Sequence, residues 1–583
     1  MSDMQGYRSG KMIALILLTF FFLRIIHLDL DSPTYSLLQY TRVDEGHYAM
    51  QAFKNIMQDE MELVAQADGG LYETWNSSAS YINTVFCTLT LSLFGRNYYG
   101  LRLAAFIAGA LSYVLVLLMI KGEEEKGGQG IGWVLLTAGG GMLLNFPYLI
   151  ACRFNDPGIF RILTITGALF YVWKSCKRSD EAEYLGLGIL SSLCVVWGYA
   201  TNIFVFVPAG ILLLLEIREG MSAGSRTERK RAARLKIGKM AAGAIAGYLG
   251  GEGIMYLTQG TTFTATFFRI NQTMGESRIS FQFGELVNNI LQLCMGNIFS
   301  YNCVFMFLSV VSVLYVLFSG HKKKDHFRIY LAWLSIGFAA QSIFTNDTLI
   351  RKSIVIYPVL ILTIACFLAD FINNGNRFEE VLKGKKKMIC LAAAIFGCIW
   401  FYIAKRRLGL IEEIDLTDVQ KDTIIGLNIV AFCLCLLIML VKKQKAGIIS
   451  IFLLISMVLP DLFFTFQYYK TAGYEDKEIM TEMQTLVGNN FVLGGYPYGY
   501  CLYNDLIPAS STYDKFLPEE REKRAKKLLQ SDRRIYFLGN DEKELIDSWL
   551  GNEDDQWVLV KVFEETMRDY GGRTKLYLYE RRK

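Results

Sequence analysis

Residues 353–371 read Ser353-Ile354-Val355-Ile356-Tyr357-Pro358-Val359-Leu360-Ile361-Leu362-Thr363-Ile364-Ala365-Cys366-Phe367-Leu368-Ala369-Asp370-Phe371. One charge, Asp370, stands at the end of this run. A membrane helix needs about 20 mostly apolar residues, so the stretch predicts a membrane span. The same pattern recurs at 12–28, 100–120, 131–150, 158–174, 184–200, 202–216, 239–257, 302–319, 329–345, 388–404, 423–441 and 446–466, about thirteen spans in all. The first run lacks a small-residue cleavage site and does not read as a signal peptide. Residues 78–95 are apolar but hold Asn83, Thr84, Thr88 and Thr90, which predicts a helix lying at the membrane interface.

The whole-chain averages agree. Of 583 residues, 52% are hydrophobic and only 20% charged, with a mean hydropathy of +0.28. That excludes a disordered, collagenous or nucleic-acid-binding chain, and the net charge of +5 calls for no polyanionic partner. Most of the twelve Cys lie in apolar runs with no C-x-x-C pair, against a disulfide framework or zinc ribbon.

Basic residues flanking the spans set the expected orientation. Lys174 to Arg178, Arg226 to Lys239, His321 to Lys324, Lys383 to Lys387 and Lys442 to Lys445 fall on one side when thirteen spans are drawn, together with Arg8 and Lys11. That side is read as cytoplasmic. The first large loop (29–99), the loops 151–157, 258–301 and 346–352, and the C-terminus then face outward. The sequons at Asn76, Asn271 and Asn346 fall on that outer side.

The C-terminal part differs in kind. From Gly473 to Lys583 there are 21 Asp+Glu and 17 Lys+Arg, a net of −4, leaving +9 on the membrane part. Runs of strand character at Phe491-Val-Leu, Arg534 to Leu538, Trp557 to Phe563 and Lys575 to Tyr579 alternate with helical patterns at 518–530 and 541–550. The expected fold is an all-α polytopic membrane domain over 1–470 and a small extracytoplasmic α/β domain over 471–583.

Val43-Asp44-Glu45-Gly46-His47-Tyr48 follows the first span after a short polar stretch. Acidic residues favour a helix N-terminus, so the pair can simply open a helix over Tyr48–Met57. A carboxylate in a roofed pocket at a membrane surface can also take a proton from an acceptor hydroxyl or amine. Adjacent acids point in different directions, so one serves as base while the other orients it, binds substrate or binds a metal.

A short first span followed by Asp-Glu-x-x-Tyr in an outer loop resembles the C-superfamily glycosyltransferases, nearest to the protein O-mannosyltransferase and lipid A aminoarabinose transferase group. Leu71-Tyr72-Glu73-Thr74-Trp75 resembles the place where that family has an acidic residue before Lys-Pro-Pro, although the Lys-Pro-Pro is absent here. Leu93-Phe94-Gly95, then Leu101-Arg102-Leu103, resembles the family's entry to the second span. Ala151 to Asp156 resembles the outer end of the third span, with an Arg and then a second Asp. Asp347 to Arg351, through Tyr357-Pro358, resembles the start of a late span. The resemblance runs in order over roughly residues 12–370.

The resemblance implies an inverting transfer of a sugar from a polyprenyl-phosphate carrier to an acceptor on the outer face. It implies Asp44 as base, with Glu45 and Asp156 supporting it, and His47, Tyr48 and Glu73 as substrate or metal contacts. The departing phosphate needs its charge stabilised, which suits the planar fork of arginine. Arg351, Lys352, Arg153 and Arg269 are the candidates, and lipid-headgroup snorkelling is the bland reading of each. A Mg or Mn ion on Asp44, Glu73 and Asp156 stays open, whereas a His-rich zinc site does not fit four His of which two are cytoplasmic. Expected partners are the lipid-linked donor, membrane lipids and an unidentified acceptor, in a bacterial cell membrane. The rival readings are a transporter or flippase, which would show paired halves with mid-span charges, and a lipid-carrier-binding protein without transferase activity.

Overall fold

The computed structural model describes residues 2–30, 81–125, 132–177, 228–259, 302–323, 325–344, 354–373, 395–402, 417–440, 446–493, 507–509, 532–539, 556–569 and 572–582, with scattered positions at 45–56, 210, 262–289, 405 and 530. Statements below concern these residues. Apart from positions 210 and 530, the expected spans at 184–200 and 202–216, and the helical patterns at 518–530 and 541–550, lie outside them.

The membrane part is a helical bundle. Its elements are α1 (Ser2–Ile25), α2 (Tyr81–Phe94), α3 (Tyr98–Glu125), α4 (Gly140–Leu144), α5 (Phe146–Ala151), α6 (Pro157–Lys177), α7 (Glu228–Gln259), α8 (Cys303–Lys323), α9 (His326–Phe344), α10 (Tyr357–Asn373), α11 (Asp418–Leu440) and α12 (Ala446–Thr471). Among the described residues, four helices are long and apolar enough to cross a membrane: Tyr98–Glu125, Ile354–Ile372, Asp418–Met439 and Gly447–Lys470. The run Ile354–Ile372 is wholly buried at the centre of the bundle, which explains why its sequence is apolar on every face. The peripheral helices instead turn large apolar side chains outward, such as Leu18, Phe22, Leu249, Phe318, Val430 and Leu437.

One helix departs from the sequence expectation. The third apolar run, expected as one helix over 131–150, is broken. A π-helical turn (Leu135–Gly139) leads into α4, Asn145 is extended with φ −65° and ψ 120°, and α5 restarts at Phe146. Pro147 explains the restart: it lacks an N–H and is best accommodated in a helix's first turn. The helix α2 falls within the stretch 78–95 read as helical, and is polar inside and apolar outside. Asn83, Thr84, Cys87 and Thr90 are buried, while Leu89, Leu93 and Phe94 are exposed.

A buried charge cluster ties α3, α6, α9 and α10 at one end of the bundle. Arg328 Nη1 donates to Asp370 Oδ2 at 2.6 Å, and Trp173 Nε1 donates to Glu123 Oε1 at 3.1 Å. The other end carries the C-terminal domain. There α13 (Glu475–Val487) precedes a five-stranded sheet of β1 (Phe491–Leu493), β2 (Ile507–Ala509), β3 (Ile535–Gly539), β4 (Gln556–Asp569) and β5 (Gly572–Arg582). The order is β2-β1-β3-β5-β4, with parallel pairs around β1 and antiparallel pairs on either side of β5. All five residues of β3 are buried, as a central strand covered on both faces requires. The strand β2, with Pro508 in it, sits at the sheet edge, where a missing N–H is tolerated.

Candidate functional site

The site forms at the end of the bundle that carries the C-terminal domain. There the chain leaving α1 turns sharply. His27 adopts φ +47°, a left-handed closure of the helix end that is uncommon outside glycine. Two buried arginines hold the carbonyls that this turn exposes. Arg153 Nη1 donates to Arg24 O at 3.0 Å and Ile26 O at 2.8 Å, and also meets the Tyr469 hydroxyl at 3.1 Å; its Nη2 donates to His27 O. Arg102 Nη1 donates to Leu28 O at 3.2 Å and to Leu30 O.

Arg102 also grips the acidic motif. Its Nε meets Glu45 Oε1 at 3.1 Å and its Nη2 meets Glu45 Oε2 at 2.8 Å. Both residues are only 1% exposed, and the guanidinium lies between the rings of Phe154 at 4.3 Å and Tyr98 at 4.6 Å. A two-pronged, dry pair of this kind fixes orientation as well as distance. Asn155 completes it: its backbone N–H donates to Glu45 Oε1 at 2.9 Å, and its Nδ2 to Glu45 O at 3.4 Å.

Cys87 Sγ, from the polar face of α2, lies 3.3 Å from Asn155 Oδ1, and Asn55 Nδ2 donates to Thr88 Oγ1 at 3.3 Å. The inverted pattern of α2 thus has a local cause: its polar side faces the acidic motif. Each described position from Glu45 to Ile56 is helical, and Glu45, Ala49, Ala52, Phe53 and Asn55 are buried. Glu45 and Gly46 are thus helical ahead of the start expected at Tyr48.

Of the candidates drawn from the sequence, Glu45, Asp156 and Arg153 are described and converge here. Asp156 precedes α6, is 5% exposed and accepts from Gly158 N at 2.7 Å. It is next in sequence to Asn155, which binds Glu45, itself next to Asp44. Asp44, His47, Tyr48, Glu73, Arg269, Arg351 and Lys352 lie outside the described residues. Sequence reasoning did not single out Arg24, Asn155 or Asp461, and it placed Arg102 only as part of a motif. Arg24 and Asp461 could have been found, since a charge inside an apolar run is a functional candidate by default.

The C-terminal domain abuts the same turn. His27 Nδ1 and the Tyr474 hydroxyl are 2.7 Å apart, and Lys477 Nζ reaches Asp29 Oδ2 at 2.9 Å. Burial alone would raise the Asp29 carboxyl, but the Lys477 ammonium and a backbone hydrogen bond outweigh it and hold the carboxyl below its ordinary value. Among the described residues, no group of three or more His, Cys, Asp or Glu could hold a metal ion. Of the three ion ligands drawn from the sequence, Asp44, Glu73 and Asp156, only Asp156 is among the described residues.

No family model matches the chain, and no curated sequence matches it. Solved structures do. The apo crystal structure of ArnT from Cupriavidus metallidurans superposes with a TM-score of 0.58 at 13% identity, over 98% of each chain. The fold is that of ArnT. The same protein bound to undecaprenyl phosphate gives 0.54 at 12% identity, again over 98% of each chain. The archaeal oligosaccharyltransferase AglB from Archaeoglobus fulgidus, in complex with an inhibitory peptide and a dolichol-phosphate, gives 0.48 at 10% identity over 94% of this chain and 71% of that one. The resemblance carried by the sequence motifs is thus met at the level of fold. The ArnT-like fold and the apolar helices make the chain an integral membrane protein.

Proposed function

We propose that this chain is an inverting glycosyltransferase that moves a sugar from a polyprenyl-phosphate carrier to an acceptor on the outer membrane face. The observation that carries the reading is the Glu45–Arg102–Asn155 junction, which brings the segments of Asp44 and Asp156 together in a dry, rigid setting at one end of the bundle. In this proposal Asp44 takes the acceptor proton, Asp156 stands beside it, and Glu45 is a positioning residue. Inversion then needs one displacement: the acceptor oxygen or nitrogen attacks the anomeric carbon as the bond to the carrier phosphate breaks.

Arg351, Lys352 and Arg269 stabilise the departing phosphate. Arg153, whose Nη1 and Nη2 hold the end of α1, retains Nε for an anion. His47, Tyr48 and Glu73 are assigned to substrate contacts. A Mg or Mn ion belongs to the same proposal only through Asp44, Glu73 and Asp156, and no step is routed through it. About thirteen spans, a cytoplasmic N-terminus and an extracytoplasmic domain over 471–583 complete the reading, in a bacterial cell membrane.

The test is transfer of a sugar from a polyprenyl-phosphate donor in proteoliposomes. Asp44→Asn abolishes transfer while expression and melting temperature stay at wild-type values. Full activity in that variant overturns the proposal.

A further inference from the structure

We infer that Arg24 and Asp461 form a clasp on the break in the third apolar run, and through it act as positioning residues for the acidic site. The inference rests on the site proposed above. Both side chains are buried, Arg24 at 0% and Asp461 at 1% exposure, in the apolar interior of the bundle. Neither makes an ion pair among the described residues, and Arg24 Nε, Arg24 Nη1 and Asp461 Oδ1 have no hydrogen-bond partner. A buried guanidinium without a counter-ion costs several kcal/mol, and a buried carboxyl without partners also costs free energy, so their surroundings must stabilise them in another way.

The broken helix does so on both sides. Leu143 O would accept from the N–H of residue 147 in a continuous helix, but Pro147 has none. Arg24 Nη2 fills that place, donating to Leu143 O at 2.8 Å, with its guanidinium 4.0 Å from the Phe20 ring and 5.5 Å from that of Tyr148. On the other side of the break, Asn145 caps α5 by accepting from Tyr148 N at 3.0 Å, and its Nδ2 donates to Asp461 Oδ2 at 3.2 Å. The Phe146 N–H lies against the same carboxylate. Asn302 Nδ2, at the start of α8, donates to Asp461 Oδ2 at 2.8 Å. The guanidinium therefore takes the place of the missing N–H on one side of the break, and the Asp461 side chain holds the capping residue on the other.

The clasp fixes α5, and α5 delivers the site. The helix has six residues, so its ends are about 9 Å apart, and Arg153, Asn155 and Asp156 follow directly from it. Its other face is pressed on α3: Tyr148 hydroxyl donates to Gly109 O at 2.9 Å, and Cys152 Sγ fills the space that a side chain at position 109 would need. Cys152 is fully buried, so its accessibility reports whether α5 is seated.

The experiment uses the full-length protein in nanodiscs, with two readouts. One is the rate of N-ethylmaleimide labelling at Cys152, resolved by mass spectrometry. The other is sugar transfer, with kcat and the donor KM separated. Asp461→Leu raises Cys152 labelling by about tenfold, because α5 opens locally; Arg24 itself lies against the Cys152 thiol, so Arg24→Met is read by transfer alone. Both Asp461→Leu and Arg24→Met lower kcat by about 10²-fold, the scale of a 1 Å misplacement, with donor KM within about threefold. Asp461→Asn keeps an acceptor at the Oδ2 position and rescues both readouts.

Should Asp461→Leu fail to fold, Asn145→Ala removes the same contact without altering α12 and gives the same rise in labelling. Unchanged labelling in folded Asp461→Leu overturns the clasp, as does unchanged kcat in folded Arg24→Met or Asp461→Asn behaving like Asp461→Leu. Labelling does not depend on turnover, so an active Asp44→Asn would remove the assignment of the site and leave this measurement standing.

Discussion

Arg102 and Glu45 meet through two parallel hydrogen bonds, 3.1 and 2.8 Å long, with both side chains almost wholly out of solvent. They are 57 positions apart in sequence and join the second apolar helix to the acidic motif. Removing one partner strands a buried charge, which costs about 3–5 kcal/mol. Arg102→Met and Glu45→Gln therefore lower the melting temperature and transfer together. Arg102→Lys is a poor substitute, because an ammonium cannot reproduce the fork. The double variant Glu45→Met/Arg102→Met regains much of the thermal stability and none of the activity. Thermal unfolding and transfer assays on the four proteins check this, and a double variant with wild-type activity excludes a positioning role for the pair.

Arg351→Ala tests the donor side of the proposed chemistry. A phosphate contact stabilises the carrier as the bond to the sugar breaks, so the variant raises the KM for the lipid-linked donor and lowers kcat. Loss of one charge-assisted contact is worth about 1.5–3 kcal/mol. The acceptor KM moves little. A change confined to acceptor affinity contradicts the assignment.

Gly109→Ala places a methyl group against Cys152 Sγ. Overpacking of a tight site costs about 1–3 kcal/mol, and here the strain falls on α5 and the loop carrying Asp156. The variant lowers both melting temperature and transfer, and Gly109→Ala/Cys152→Ala restores them. If the second substitution brings no recovery, the close approach is not the source of the loss.

The Asp29–Lys477 contact predicts a response to acid. Asp29 has its carboxyl held below the ordinary value in the folded protein, so the contact stabilises docking fully above the unfolded carboxylate pKa of about 3.9. That contribution fades as pH falls through the lower folded value. Both side chains are partly exposed, at 23% and 47%, so the effect is below about 1 kcal/mol. Protease sensitivity of the C-terminal domain rises below about pH 4 in the wild type and is already raised at neutral pH in Asp29→Asn. Equal sensitivity of the two proteins at neutral pH rules the contact out.

Much of this architecture can be read from hydropathy, because lipid rewards long apolar runs whatever surrounds them. Residues 353–371 announce a span, and the four strand-like runs of the C-terminal part all fall on strands. The break at Asn145 was not legible. Its cause is Pro147 together with partners at Arg24 and Asp461, and no local pattern shows residues 119 and 316 positions apart meeting at one joint. For the site, the Asp-Glu pair stood out by its place after the first span. What made Glu45 a buried partner was Arg102, an arginine that the sequence alone presents as one basic residue at a helix start. The short strand Ile507–Ala509 also escaped notice, since three residues containing a proline carry almost no periodic signal.

The joint at Asn145 has a consequence for how the chain is made. Translation delivers Arg24 first, Leu143 and Asn145 next, and Asp461 only after most of the protein has left the ribosome. Until α12 arrives, the third apolar run carries an amide with no carboxylate to meet. The first helix likewise carries a guanidinium that finds its carbonyl only after two further helices have entered the bilayer. The early helices are thus held as unfinished parts, and the last membrane helix closes the assembly begun by the first.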